Sequence, residues 1–79
     1  MTVNPNTLAV GVCYITPAGQ VRKITDITTT GGVNYDARGG HNVDGWHPGP
    51  QLSNLPSKAK FASDVDREVK CTYHPDYPE

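Results

Sequence analysis

Three short β-branched runs, each bounded by a turn signal, fill residues 10–38 and leave this stretch little to become except an antiparallel meander. Val10-Gly11-Val12-Cys13-Tyr14-Ile15 sets Val10, Val12 and Tyr14 against Gly11, Cys13 and Ile15, the alternation of a strand with both faces at least partly covered. Thr16-Pro17-Ala18-Gly19 then reverses the chain, because proline presets the second turn position and glycine accepts positive φ. In the next run, Val21 to Thr28, the residues Val21, Ile24 and Ile27 recur every third position, which fits neither strand nor helix. A bulge near Lys23 or Thr25 would reset the phase. Thr28-Thr29-Thr30 with Gly31-Gly32 forms the second turn, and Val33-Asn34-Tyr35-Asp36-Ala37-Arg38 resumes alternation.

Beyond Arg38 the pattern dissolves. Residues 39–56 hold four glycines, three prolines and the only tryptophan, with no period of either kind, and predict a long loop. Ser57 can cap a helix whose apolar stripe runs through Ala59, Phe61, Ala62, Val65 and Val69; a strand reading of the same segment is poorer, because Ser63 and Arg67 interrupt its face. Cys71-Thr72-Tyr73 reads as the closing strand, with Val69 as its earliest start, before Pro75 and Pro78 stop regular pairing. Residues 1–7 and 74–79 are expected to fray around an ordered core of about 8–73, giving one domain over 1–79.

Composition narrows the function classes. Leu, Ile, Val and Phe supply 15 of 79 residues and the net charge is −1, which predicts a folded chain of marginal stability. So small a domain buries only about 60% of its unfolded surface, so a site belongs on the surface or between subunits. Seven Lys and Arg against eight Asp and Glu disfavour nonspecific phosphate binding. No stretch approaches the roughly 20 apolar residues of a bilayer helix, and the first seven residues lack the charge and apolar core of a secretory signal, so a cytoplasmic location is expected, with no membrane partner. In a reducing cytosol Cys13 and Cys71 are expected as buried or half-buried thiols. The alternative, a bond between them, would contribute about 4 kcal/mol in the chain-entropy model and requires the first and last strands to be neighbours.

The succession strand, turn, strand, turn, strand, long loop, short helix, strand resembles the SH3-like small barrels. The resemblance is carried by Gly11…Tyr14, Val21-Arg22-Lys23-Ile24, Val33-Asn34-Tyr35 and Phe61-Ala62-x-x-Val65-x-x-Glu68-Val69, and covers roughly Val10 to Tyr73. More narrowly it is similar to small proteins of phages and mobile elements. The implied fold is mainly β: a partly open barrel of about five antiparallel strands with one short helix before the last strand. The implied roles are adaptor, nucleic-acid-associated or host-interference modules, and no chemistry follows from so widely shared a fold.

No catalytic or cofactor motif stands in the chain. The spacing His41-x5-His47 matches no common metal-ligand pair, and neither Asp44 nor His74 completes a set, so no metal is expected. Cys71 lies beside Lys70 and three residues before His74, but no oxyanion motif accompanies it, so no catalytic residue is assigned. Gly31-Gly32 and Gly39-Gly40 are turns rather than phosphate loops. The aromatics carry the functional expectation: Tyr14 and Tyr35 either pack in the core, the favoured reading, or flank a shallow groove, Trp46 sits above it as an anchor or folds back as a lid on the core, and Arg22, Lys23 and Arg38 rim it. The chain is thus expected to be a non-enzymatic interaction module binding a protein partner. Two alternatives stay open: a nucleic-acid binder using the Arg22, Lys23 and Arg38 patch, and an oligomeric enzyme with its site between subunits.

Overall fold

The computed structural model describes residues 3–50 and 52–77. Its five strands, β1 (Cys13–Ile15), β2 (Gln20–Ile27), β3 (Val33–Gly39), β4 (His47–Pro48) and β5 (Arg67–Val69), form one open antiparallel sheet in the order β4-β3-β2-β1-β5. A short helix, α1 (Lys58–Asp64), precedes the last strand, as the sequence pattern predicts. Among the described residues no helix is long and apolar enough to cross a membrane.

The two hairpins are built alike. In each a threonine begins a four-residue turn whose last member is a glycine at positive φ, Gly19 at 91° and Gly31 at 89°. The glycine N–H donates to the threonine carbonyl, and the threonine hydroxyl accepts from the backbone N–H four residues on, Gln20 N at 3.0 Å and Gly32 N at 2.8 Å. Threonine thus closes the turn that glycine makes sterically possible. A third glycine, Gly11 at φ 85°, breaks the first run, so β1 begins at Cys13 rather than Val10, which is 59% exposed.

The predicted bulge lies at Thr25. Ile24 pairs with Tyr35 and Asp26 with Asn34, so the extra residue turns Ile27 onto the same face as Ile24, while Val21, three residues before Ile24, faces the other side by plain alternation. Strand alternation then separates two apolar layers. Tyr14, Ile24 and Val33 pack with Leu8, Phe61 and Val65 on one face; Cys13, Ile15, Val21 and Val69 form the other, against Trp46, Cys71 and Tyr73. Phe61, fully buried, meets the Tyr14 ring edge-on at 5.7 Å and the Tyr35 ring at 5.2 Å.

Segment 57–69 resolves into both of its readings. Ser57 caps α1, its hydroxyl accepting from Lys60 N at 3.1 Å; Val65 is already extended, and Asp66 N donates to Ile15 O at 2.7 Å to open the pairing with β1. The closing strand is therefore Arg67–Val69, not Cys71–Tyr73. The latter begins a turn, with Tyr73 N donating to Lys70 O, that carries the chain across the sheet.

The long loop is less open than its composition suggests. Its His47 and Pro48 pair with Ala37 and Asp36, Gly49 N donates to Tyr35 O, and Val33 N donates to Pro56 O, so the outer side of β3 is covered along its length. Residues 3–7 and 74–77, expected to fray, carry defined structure. Pro5–Thr7 forms a 3-10 turn capped by Asn4 against α1, and His74 bridges to Tyr77.

Candidate functional site

Cys13 and Cys71 are joined by a disulfide, their Cα atoms 5.1 Å apart. The free thiols expected from the sequence are absent because β5 returns beside β1: Cys13 pairs with Val69, and the turn after Val69 brings Cys71 over the Cys13 side chain. Cys13 is buried and Cys71 half-buried.

Arg38 corrects the expected basic rim. Its side chain is fully buried, and its guanidinium donates to four carbonyls: Gly39 and Gly40 at 3.2 Å each, Cys71 at 2.9 Å and Tyr73 at 2.7 Å. Trp46 lies against it, with the guanidinium carbon 5.0 Å from the ring centroid. No carboxylate pairs with Arg38 among the described residues, and its Nε has no hydrogen-bond partner there. Burial pushes the guanidinium below its ordinary pKa, because desolvation penalises the charged form. Arg38 therefore ties residues 71–73 to the turn after β3.

The other expected site residues do not converge. Tyr14 is buried against Phe61, where burial and the facing Glu68 on β5 push its hydroxyl pKa up. Tyr35 is half-buried in the same layer, with Arg22 stacked at 4.8 Å and donating from Nε to Gln20 Oε1. Trp46 packs on the opposite layer, as Cys71 and Tyr73 do. Lys23 follows Arg22 and so projects from the other face, exposed. The aromatic groove is thus split by the sheet itself, and the three basic residues form no common patch.

Trp46 takes the lid position rather than standing over Tyr14 and Tyr35. We expect Trp46→Ala to cost about 2 kcal/mol, less than a fully buried tryptophan, and to lower the melting temperature by roughly 10 °C. An unchanged midpoint in a thermal melt would contradict this packing role.

The sheet does carry a different concavity. A groove of about 350 Å³ runs between the β1–β2 turn and the tail, lined by Ile15, Gly39, Gly40, His41, Tyr73 and Pro75. Glycine is required in its floor: a Cβ on Gly40 would stand 2.9 Å from Gly19 O and 3.4 Å from Pro75 Cδ. Gly40 N donates to that same Gly19 O at 3.0 Å, which fixes the two turns together. At the rim the His41 and His74 rings meet edge-on at 5.3 Å, and His74 Nδ1 accepts from Asp76 N. Neutral His74 therefore carries its proton on Nε2. The sequence reading missed Tyr73, Pro75 and His41, having placed them in a strand, a frayed end and a loop. The Cys13–Cys71 pairing was the signal that could have anchored them. A second, more open hollow of about 560 Å³ lies across the β1–β2 turn, between Thr16, Pro17, Gln20, Arg22 and Asp64.

Comparisons with protein-family models, with curated protein sequences and with solved structures find no match for this chain. The class of protein is accordingly defined by its architecture: a small, mainly β chain with one open five-stranded antiparallel sheet and a short helix before the last strand.

Proposed function

We propose that this chain is a non-enzymatic interaction module that holds an extended segment of a protein partner in the groove between Tyr73, Pro75 and the Gly39–His41 turn. The observation that carries the reading is the groove's make-up: apolar walls from Ile15, Tyr73 and Pro75, a floor that opens at Gly39, and histidine at the rim. Such a lining gives contact area with a few orienting hydrogen bonds. Trp46 acts here as support, packing on the same layer as Tyr73 and stacking on Arg38. With the two sulfurs bonded to each other, neither serves as a nucleophile. Arg38 is buried and Arg22 and Lys23 diverge, which weighs against a nucleic-acid surface. The adaptor role implied by the resemblance to small barrels of phages and mobile elements belongs to the same proposal, as does a cytoplasmic location.

The test is selection of short peptides from a random display library, followed by amide shift mapping on labelled protein. Selected peptides should perturb residues 39–42 and 73–75, and His41→Ala should weaken them roughly fivefold, about 1 kcal/mol. Peptides that map to the Arg22 hollow, or binding confined to a single-stranded oligonucleotide and lost steeply with salt, would overturn the reading.

A further inference from the structure

We propose that the Cys13–Cys71 bond is a redox latch: its reduction by a dithiol frees residues 71–77 from the sheet and removes one wall of the groove. What the latch controls rests on the groove reading above; the latch itself does not. All five strands and α1 end by Val69, and the layer built from Tyr14, Ile24 and Phe61 makes no use of the tail. Tyr73 and Pro75, by contrast, are groove wall and tail at once.

Besides the bond, Cys71 and Tyr73 pack against the layer of Ile15, Val21 and Val69, and three polar or ring contacts hold the tail. Arg38 donates to the Cys71 and Tyr73 carbonyls, Arg67 lies 5.7 Å from the Tyr73 ring centroid, and His74 meets His41. Arg38's hold depends on a guanidinium kept dry with no carboxylate beside it among the described residues, and such a group gains hydration when its carbonyl partners leave. Loss of the covalent tie therefore lets water compete for Arg38, and Trp46, stacked on Arg38 and packed on the same layer as Tyr73, becomes solvated.

The chemistry balances. A thiolate of the dithiol attacks Cys71 Sγ, the sulfur of the less buried cysteine; the Cys13–Cys71 bond breaks, and its electron pair goes to Cys13 Sγ, which takes a proton. The second sulfur of the dithiol then attacks the mixed disulfide, releasing the Cys71 thiolate, which takes a second proton. The dithiol leaves as a cyclic disulfide, having passed two electrons to the protein.

The experiment compares oxidised and dithiothreitol-reduced labelled protein well below its melting temperature, with mass confirming the two added hydrogens. The expected result is retained amide dispersion across β2 and β3, collapse of residues 71–77 to random-coil shifts, and a red shift of emission from the single Trp46, all reversed on reoxidation. Cys71→Ser, which keeps the buried Cys13, should reproduce the reduced spectrum and ignore reductant. Peptides selected on the oxidised protein should bind at least tenfold more weakly to the reduced form. Unchanged tail shifts and Trp46 emission after confirmed reduction would overturn the latch, and so would collapse of the whole spectrum, which would make the bond a staple of the entire fold. A released tail with undiminished peptide affinity would overturn the groove's dependence on it and leave the latch standing.

Discussion

Replacing both cysteines by alanine is expected to lower the melting temperature by roughly 20 °C. The bond joins residues 58 apart in the sequence, and closing a loop of that length removes unfolded-state entropy corresponding to about 4 kcal/mol. In a domain of this size each kcal/mol moves the midpoint by about 4 to 8 °C. The two alanines also remove sulfur packing from the layer of Ile15, Val21 and Val69, so the structural and entropic effects act in one direction. A thermal melt of the double variant beside the oxidised protein measures the sum. A shift below about 5 °C would show that the unfolded chain is already compact enough for the crosslink to constrain little.

Arg38→Met should cost about 3 kcal/mol and lower the midpoint by roughly 15 °C. The substitution keeps an unbranched side chain beside Trp46 while deleting the donors to Gly39, Gly40, Cys71 and Tyr73. Buried carbonyls that lose their donors cost about 1 to 3 kcal/mol each, but those nearest the groove can take water, which brings the total below the plain sum. Removing the charge also relieves its desolvation, a smaller opposing effect. Arg38→Lys should recover little, because one ammonium cannot present the planar fork that reaches four oxygens. Denaturant titration followed by Trp46 emission checks both variants. A loss under 1 kcal/mol for Arg38→Met would mean that water replaces the guanidinium almost completely.

The hairpins were legible because their causes are local. Each Thr-x-x-Gly turn names its own geometry, and the spacing of Val21, Ile24 and Ile27 resolves into Val21 on one face and, through the bulge at Thr25, Ile24 and Ile27 together on the other. The helix start was legible for the same reason, since Ser57 acts on Lys60 within one turn. The candidate site was not, because it is assembled by contacts between residues far apart in sequence. Arg38 looked like a surface charge, since arginine is seldom fully buried, and nothing near it in sequence announces that the Cys71 and Tyr73 carbonyls will arrive. Cys71 itself could not be paired without knowing that β5 ends at Val69. Placing the closing strand a few residues too late put Tyr73 in a sheet and hid it from the groove. Trp46 stays open between anchor and lid at the sequence level for a related reason: no period in residues 39–56 says which face the loop crosses.

The fourth strand is only His47 and Pro48, laid along the outer side of β3. Proline has no N–H to offer a neighbour, and two residues make too short a ladder to template one. Were β3 bare on that side, its seven residues would be an inviting seam for a strand from another molecule. The glycine- and proline-rich stretch thus works as a selvedge: it finishes the margin of the sheet and keeps a domain with little apolar core from lengthening sideways into an aggregate.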